Sequence, residues 1–263
     1  MYINIESLPE FYQNLFIKIP INMIDLSLKY NSTLTLVYLY LMMNRNMLGK
    51  TNITVSDMQK DIFKASNSNA IKKRTDDILN SYYLLSNCIT KENNDVVLND
   101  LISIEKYNSC FDDGEINYET LNDSLKIFKE KIQVKDIKNS RFSIIVKESE
   151  NLAFTKFFTK EYLGIMNFTY NAKSSNKETY KVFELINLYL LIKRYIAINT
   201  VYSQKFFKND NISYIPVDKL VKINIFSRVT LNKYLNGLCE CGLIEKYKKD
   251  VKVYYKLTHK EFI

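Results

Sequence analysis

The sequence predicts an α+β, mainly helical fold of two tandem modules, each a helix-turn-helix followed by a β-wing. Three observations predict it. Ile215–Leu257 reads as helix, turn, helix and two-stranded basic ribbon, the layout of a winged helix. A similar order of elements can be read earlier in the chain. Charge is also unevenly divided: Asn171–Ile263 holds 17 Lys+Arg against 8 Asp+Glu, whereas Met1–Tyr170 holds 20 against 21. All of the formal +8 therefore resides in the second part, which points to a polyanionic ligand there.

The elements follow from local pattern. Phe16–Asn46 reads as helical, with Pro20 opening a short helix to about Lys29 and Thr33 as N-cap of the next. Leu34, Val37, Tyr38, Leu41 and Met42 recur at helical spacing and form one apolar stripe. Thr54 caps a short helix with Val55, Met58 and Ile62 inward. A second helix from about Ser68 turns Ile71, Thr75, Ile78 and Leu79 inward. Tyr83–Ile89 and Asp95–Leu101 read as strands around the polar turn Thr90–Asn94. Ile102–Glu119 reads as a hairpin turning at Asp112-Asp113-Gly114, and Asn122 or Asp123 caps a helix carrying Leu125, Phe128 and Ile132. Arg141–Lys147 is a further short strand. The boundary falls in Val134–Asn151, giving modules 1–133 and 134–263.

The second module opens with a helical set from Phe154–Met166, followed by the polar loop Asn171–Lys177. Thr179–Asn199 is the longest helix and is apolar nearly all round. After the polar loop Val201–Ser213, Pro216 sits where a first helical turn tolerates it. Ser227 caps a helix to about Cys241, and Gly242 stops it. Leu243–Lys246 and Val251–Leu257 are strands around Tyr247–Asp250. The two modules align at three places. Leu34-Thr-Leu-Val-Tyr-Leu-Tyr-Leu matches Glu184-Leu-Ile-Asn-Leu-Tyr-Leu-Leu, Thr54-Val55 matches Pro216-Val217, and Leu84-Leu85 matches Leu243-Ile244. That repetition of order suggests an internal duplication.

Composition excludes several classes. The 46% hydrophobic and 25% charged residues are ordinary for a globular chain. The most apolar long stretch, Val182–Tyr202, is interrupted by Glu184, Lys193 and Arg194, so no membrane association is expected. No secretory pattern is visible at Met1, and the four Cys show no disulfide or zinc spacing, so a reducing cytoplasm is the expected location. Gly49, Gly114, Gly164, Gly237 and Gly242 are isolated, so no glycine-rich phosphate loop exists. Asp112, Asp113 and Glu115 could be drawn as a nuclease cluster, but adjacent Asp residues at a hairpin turn are ordinary turn chemistry. The only histidine, His259, lies in the C-terminal tail and pairs with no evident nucleophile. The expectation is a protein without catalysis, metal or cofactor.

The functional constellation is in the second module. A recognition helix keeps one face in the core and offers the other to base edges. In Ser227–Cys241 the inward set is Leu231, Tyr234, Leu235 and Leu238, and the outward set is Arg228, Asn232, Lys233 and Asn236. Arg suits the guanine edge, Asn suits adenine, and Lys suits guanine or phosphate. The wing places Lys246, Lys248, Lys249 and Lys252 within seven residues, a concentration that phosphate would neutralise. In the first module Asn69, Lys72 and Lys73 share a helix face, but Asp76 and Asp77 follow, and residues 1–100 balance 10 Lys+Arg with 10 Asp+Glu. That module reads as an assembly surface with auxiliary DNA contact.

Phe16-Ile-Lys-Ile-Pro20, Leu36-Val-Tyr-Leu-Tyr-Leu41 and Asn44-Arg45-Asn46 resemble the opening winged helix of plasmid replication initiators and of primosomal DNA-remodelling proteins of low-GC Gram-positive bacteria. The tandem arrangement is similar to initiators built from two winged-helix domains. The resemblance implies that one domain serves dimer contact while the other reads the origin repeat. It would put base reading on Arg228, Asn232 and Lys233, and the wing role on Lys248 and Lys249. The first module departs from the pattern, having Tyr82-Tyr83 where the second has Gly242. The partners expected are double-stranded DNA, a second copy of the chain and replication proteins. A transcription regulator with the same DNA-binding physics, and a scaffold in which neither module binds DNA, are the alternatives; the basic wing separates only the scaffold from the others.

Overall fold

A computed structural model describes residues 9–47, 49–63, 68–86, 88–92, 95–99, 102–104, 142–146, 153–174, 180–203, 212–224, 226–249 and 252–258. In chain order the elements are α1 (Glu10–Gln13), β1 (Phe16–Pro20), α2 (Ile21–Lys29), α3 (Leu34–Met43), β2 (Lys50–Ile53), α4 (Val55–Met58, continued by a π turn Gln59–Phe63) and α5 (Ser68–Ser86). Then come β3 (Cys88–Glu92), β4 (Asp95–Asn99), β5 (Ile102–Ile104), β6 (Phe142–Val146), β7 (Phe154–Phe158), α6 (Thr159–Ser174) and α7 (Val182–Ser203). The chain ends with β8 (Ile212–Tyr214), α8 (Val217–Asn224), α9 (Arg228–Glu240), β9 (Ile244–Lys249) and β10 (Lys252–Leu257). The molecule is mixed helix and strand, mostly helical with small sheets.

Two compact units share these elements: Met1–Ser32 with Leu152–Ile263, and Thr33–Asn151. This differs from the expected cut between residues 133 and 134. The reason is a pairing across 138 positions. β1 and β7 form an antiparallel ribbon in the first unit, with Phe16 opposite Phe158 and Lys18 opposite Lys156. Phe16–Pro20 is therefore a strand and not the helix expected there, and helix α6 starts at Thr159 and not at Phe154. Both strands show the same inside-outside pattern, exposed at their first residue and buried at their last two. A partner so distant in sequence leaves no local signal.

In the first unit, α7 is the central element. Leu185, Ile186, Leu188, Tyr189, Leu190 and Ile192 are all fully buried, as expected of a helix apolar on every side. Lys193 and Glu161 are buried with it, 2% and 0% exposed, and Lys193 Nζ lies 2.8 Å from Glu161 Oε1. The pair is fully hydrogen-bonded, as buried charges must be. Lys193 Nζ also donates to Glu161 Oε2 at 3.1 Å and to the Lys156 carbonyl at 2.6 Å. Glu161 accepts from the Phe158 backbone N–H at 2.7 Å and from the Tyr189 hydroxyl. Arg194, on the next position of α7, reaches Asp25 of α2 at 2.6 Å. α7 runs on to Ser203 where a loop Val201–Ser213 is expected, and the strand Ile212–Tyr214 begins within the last two residues of that stretch. The strand order β8-β10-β9 follows, all antiparallel.

In the second unit α3 is buried at every position from Leu34 to Met42, so its apolar side is the whole circumference and not one stripe. Thr33 occupies the N-cap position, but its hydroxyl is 3.3 Å from that of Ser81 on α5 and makes no capping bond. Thr54 is a cap as expected: its hydroxyl accepts from Asp57 N at 3.0 Å, and the Asp57 carboxylate accepts from Thr54 N. α5 continues through Tyr82, Tyr83, Leu84 and Leu85, all buried, where a strand is expected from Tyr83. Ile78, Tyr82 and Leu85 continue its inward stripe, and that burial outweighs the β-propensity of Tyr83. Leu84-Leu85 is thus helical while Leu243-Ile244 leads into a strand, so that match of the two modules fails. β3 and β4 form a hairpin, and β5 pairs with β6. β2 also pairs with β6, giving the order β2-β6-β5. The hairpin turn at Asp112-Asp113-Gly114, Glu115, the helix from Asn122 to Ile132 and His259 lie outside the described residues.

The element order nevertheless repeats. Strand, helix, helix, strand, helix, helix, strand, strand is met first as β1 to β4 and again as β7 to β10 with their helices. The two copies differ in pairing: β8 joins the last strand of its own copy, while β2 joins β6.

Candidate nucleic-acid interface

Helix α9 is held at both ends by residues suited to the task. The Ser227 hydroxyl accepts from Thr230 N at 3.1 Å. At the other end Gly242 has φ +69°, which a side chain disfavours. Its N–H donates to Cys239 O at 2.9 Å and the Leu243 N–H to Leu238 O at 3.1 Å, so these two carbonyls of the last turn are satisfied as the chain turns into β9. The inward residues Leu231, Tyr234, Leu235 and Leu238 are buried as expected. Tyr234 stacks parallel on Phe226 at 5.4 Å and meets Tyr180 edge-on at 5.7 Å, and Tyr180 lies 5.0 Å from Phe168. Gly237 is where this cluster comes closest to the helix: a Cβ there would stand 2.9 Å from Tyr180 Cε1.

Ser227, Arg228, Asn232 and Asn236 are exposed on the opposite side. Lys233 is half-buried, with Nζ 5.0 Å from the Tyr180 ring centroid, so it leans toward the aromatic cluster. Asn236 Oδ1 accepts from Lys246 Nζ at 2.6 Å, which ties the helix to strand β9. Lys248 and Lys252 are exposed. Lys249 pairs with Lys252 across the hairpin, but its side chain lies outside the described residues. Arg228, Asn232, Lys246 and Lys248 thus belong to one helix and the strand that follows it.

Val229 adds a residue that the sequence pattern passed over. It is 81% exposed, the largest exposure of any apolar side chain among the described residues of this unit. Its position beside Arg228 and one turn before Asn232 and Lys233 puts it off the buried stripe, which is the signal that could have found it. An exposed branched methyl pair beside Arg and Asn is of a kind that can contact a thymine methyl group.

In the other unit Lys73 is exposed, while the side chains of Asn69 and Lys72 lie outside the described residues. Arg74 is engaged locally, bonding Asp77 at 2.8 Å and lying 5.0 Å over the Phe63 ring. Burial pushes both free thiols at the end of α9, Cys239 in its last turn and Cys241 at its C-cap, above the usual range, so neither is a ready thiolate. Among the described residues no group of three or more His, Cys, Asp or Glu is placed to hold a metal ion. Among them, too, no helix is long and apolar enough to cross a membrane. No protein-family model, curated protein or solved structure matches the chain.

Proposed function

We propose that the chain is a sequence-specific double-stranded-DNA-binding protein of tandem winged-helix architecture that starts replication of a plasmid or phage. Base reading falls to α9, phosphate contact to the β9–β10 wing, and pairing or recruitment of replication proteins to the first module; no catalysis is involved. The observation that carries the reading is α9 itself. Arg228, Val229 and Asn232 stand exposed on one side while Leu231, Leu235 and Leu238 are buried on the other, and an antiparallel hairpin whose first strand bears Lys246 and Lys248 follows. The order helix, strand, helix, helix, strand, strand with β8-β10-β9 pairing supports the winged-helix assignment. The replication role rests on the resemblance of Phe16–Asn46 to plasmid initiators.

Selection from a random duplex pool, followed by titration of the selected site against scrambled DNA, tests the reading. Arg228→Ala should cost about 1–3 kcal/mol of preference for the selected site. Lys248→Ala should weaken all duplexes alike and lower the salt slope by about one. Titrations that neither change alters would place the DNA surface elsewhere. For replication, a plasmid dependent on this gene should be lost from its host when the gene carries Arg228→Ala, and stable maintenance would count against that role.

A further inference from the structure

The wing sheet has a second face with different chemistry. Tyr254 stands opposite Tyr214 of β8 on one side and opposite Tyr247 of β9 on the other. Directly opposed residues share a face, so the three rings form one row across the sheet. The neighbouring row, Ser213, Tyr255 and Lys246, belongs to the other face, where Ser213 and Tyr255 are buried and Lys246 reaches α9. The tyrosine row is therefore on the outer face, away from the helix assigned to duplex reading.

Tyr214 and Tyr247 are each 41% exposed. The Tyr214 and Tyr254 rings are 5.6 Å apart and tilted. Cations lie over two of the rings, Lys252 Nζ 5.3 Å from the Tyr214 centroid and Lys256 Nζ 5.7 Å from that of Tyr247, and each would swing to a phosphate as a base takes its place. The acid beside them, Glu245, lies 3.6 Å from Lys256 and accepts from the Tyr247 hydroxyl, so its charge is countered within the face. Those contacts hold the Glu245 carboxyl below its usual range, Tyr247 first and Lys256 after it.

We propose that this outer face binds single-stranded DNA, with bases stacked on Tyr214, Tyr254 and Tyr247 and phosphates held by Lys252 and Lys256. Ring faces flanked by ammonium groups suit a strand whose own base faces are open; a duplex hides those faces in its stack. Adjacent strands lie about 4.8 Å apart, wider than the roughly 3.4 Å rise of a stacked strand, so one base per ring requires an extended strand. The choice of DNA over RNA rests on the duplex reading proposed for α9; the stacking chemistry does not. A duplex on α9 and a single strand on the outer face of the sheet would lie on different surfaces and could be held together.

The test uses the full chain and a twelve-residue oligothymidylate, alone and with one 2-aminopurine, at low salt. Native protein should bind it and quench the 2-aminopurine. Tyr214→Leu and Tyr247→Leu should each weaken binding about tenfold and relieve the quenching. Tyr214→Phe and Tyr247→Phe should bind within about twofold of native, since the ring is kept. Both Leu variants should retain duplex affinity, which also shows that they fold. Arg228→Ala should do the reverse, losing duplex preference and keeping the oligothymidylate. Unchanged oligothymidylate binding by the Leu variants, or tighter binding of oligouridylate than of oligothymidylate, overturns the proposal. If no duplex is bound by any variant while the Leu changes still release the single strand, the reading of α9 fails and this one stands.

Discussion

Lys193→Met isolates the buried charge pair at the centre of the first unit. The change keeps most of the side-chain volume and removes an ammonium that donates three hydrogen bonds. Glu161, with no exposure, keeps only Tyr189 and the Phe158 N–H as partners. Burial already pushes the Glu161 carboxyl up from 4.5 and Lys193 down from 10.5, and each partner's charge opposes the other's shift. Without the ammonium Glu161 rises further and folds protonated. The cost of that proton is about 1.36 kcal/mol per pH unit above 4.5, hence about 3.4 kcal/mol at pH 7 and about 0.7 at pH 5. The sign follows from a raised folded-state value: the penalty is absent below the unfolded pKa and grows as pH rises toward the folded one. The orphaned Lys156 carbonyl adds about 1–3 kcal/mol at either pH. Urea unfolding followed by far-UV circular dichroism should therefore show a loss of up to about 4–6 kcal/mol at pH 7 that shrinks by up to about 2.7 at pH 5, the native carboxyl's own upward shift taking part of the difference. A difference from native that is equal at the two pH values would refute the argument, because it would mean that Glu161 is already protonated in the native protein.

Gly237→Ala should lower stability by about 1–3 kcal/mol although alanine is the better helix former, because the new Cβ would displace the Tyr180 ring; a raised melting temperature would contradict this. Gly242→Ala should cost about 1–2 kcal/mol from the left-handed backbone alone, since nothing lies within 4 Å of the added carbon, and Gly242→Asn should cost less. Ser227→Ala should cost about 1 kcal/mol through loss of the bond to Thr230 N, with Ser227→Asp restoring most of it in the same melts.

The parts legible in the sequence are those whose cause is local. The Thr54 and Ser227 caps, the Gly242 stop, the buried stripe of α9 and the exposed Arg228 and Asn232 depend on residues within a turn or two of each other. Strands β9 and β10 were legible for the same reason, through alternation around a polar turn. Tyr247 was harder to read, because it falls where the turn is expected, and Tyr214 lies just past the polar loop Val201–Ser213, where no element is expected.

The sequence by itself determined that basic charge collects in the second module and that a capped helix with a polar face precedes a basic ribbon. Helical period and capping set those features over a few residues. Tertiary structure alone decided that residues 16–20 are a strand, because their hydrogen-bond partners are Phe154–Phe158. It also decided that the first 32 residues belong with the last part of the chain, and that Tyr214, Tyr254 and Tyr247 stand in one row. Each is a matter of register between distant segments, and register is settled by which faces bury together.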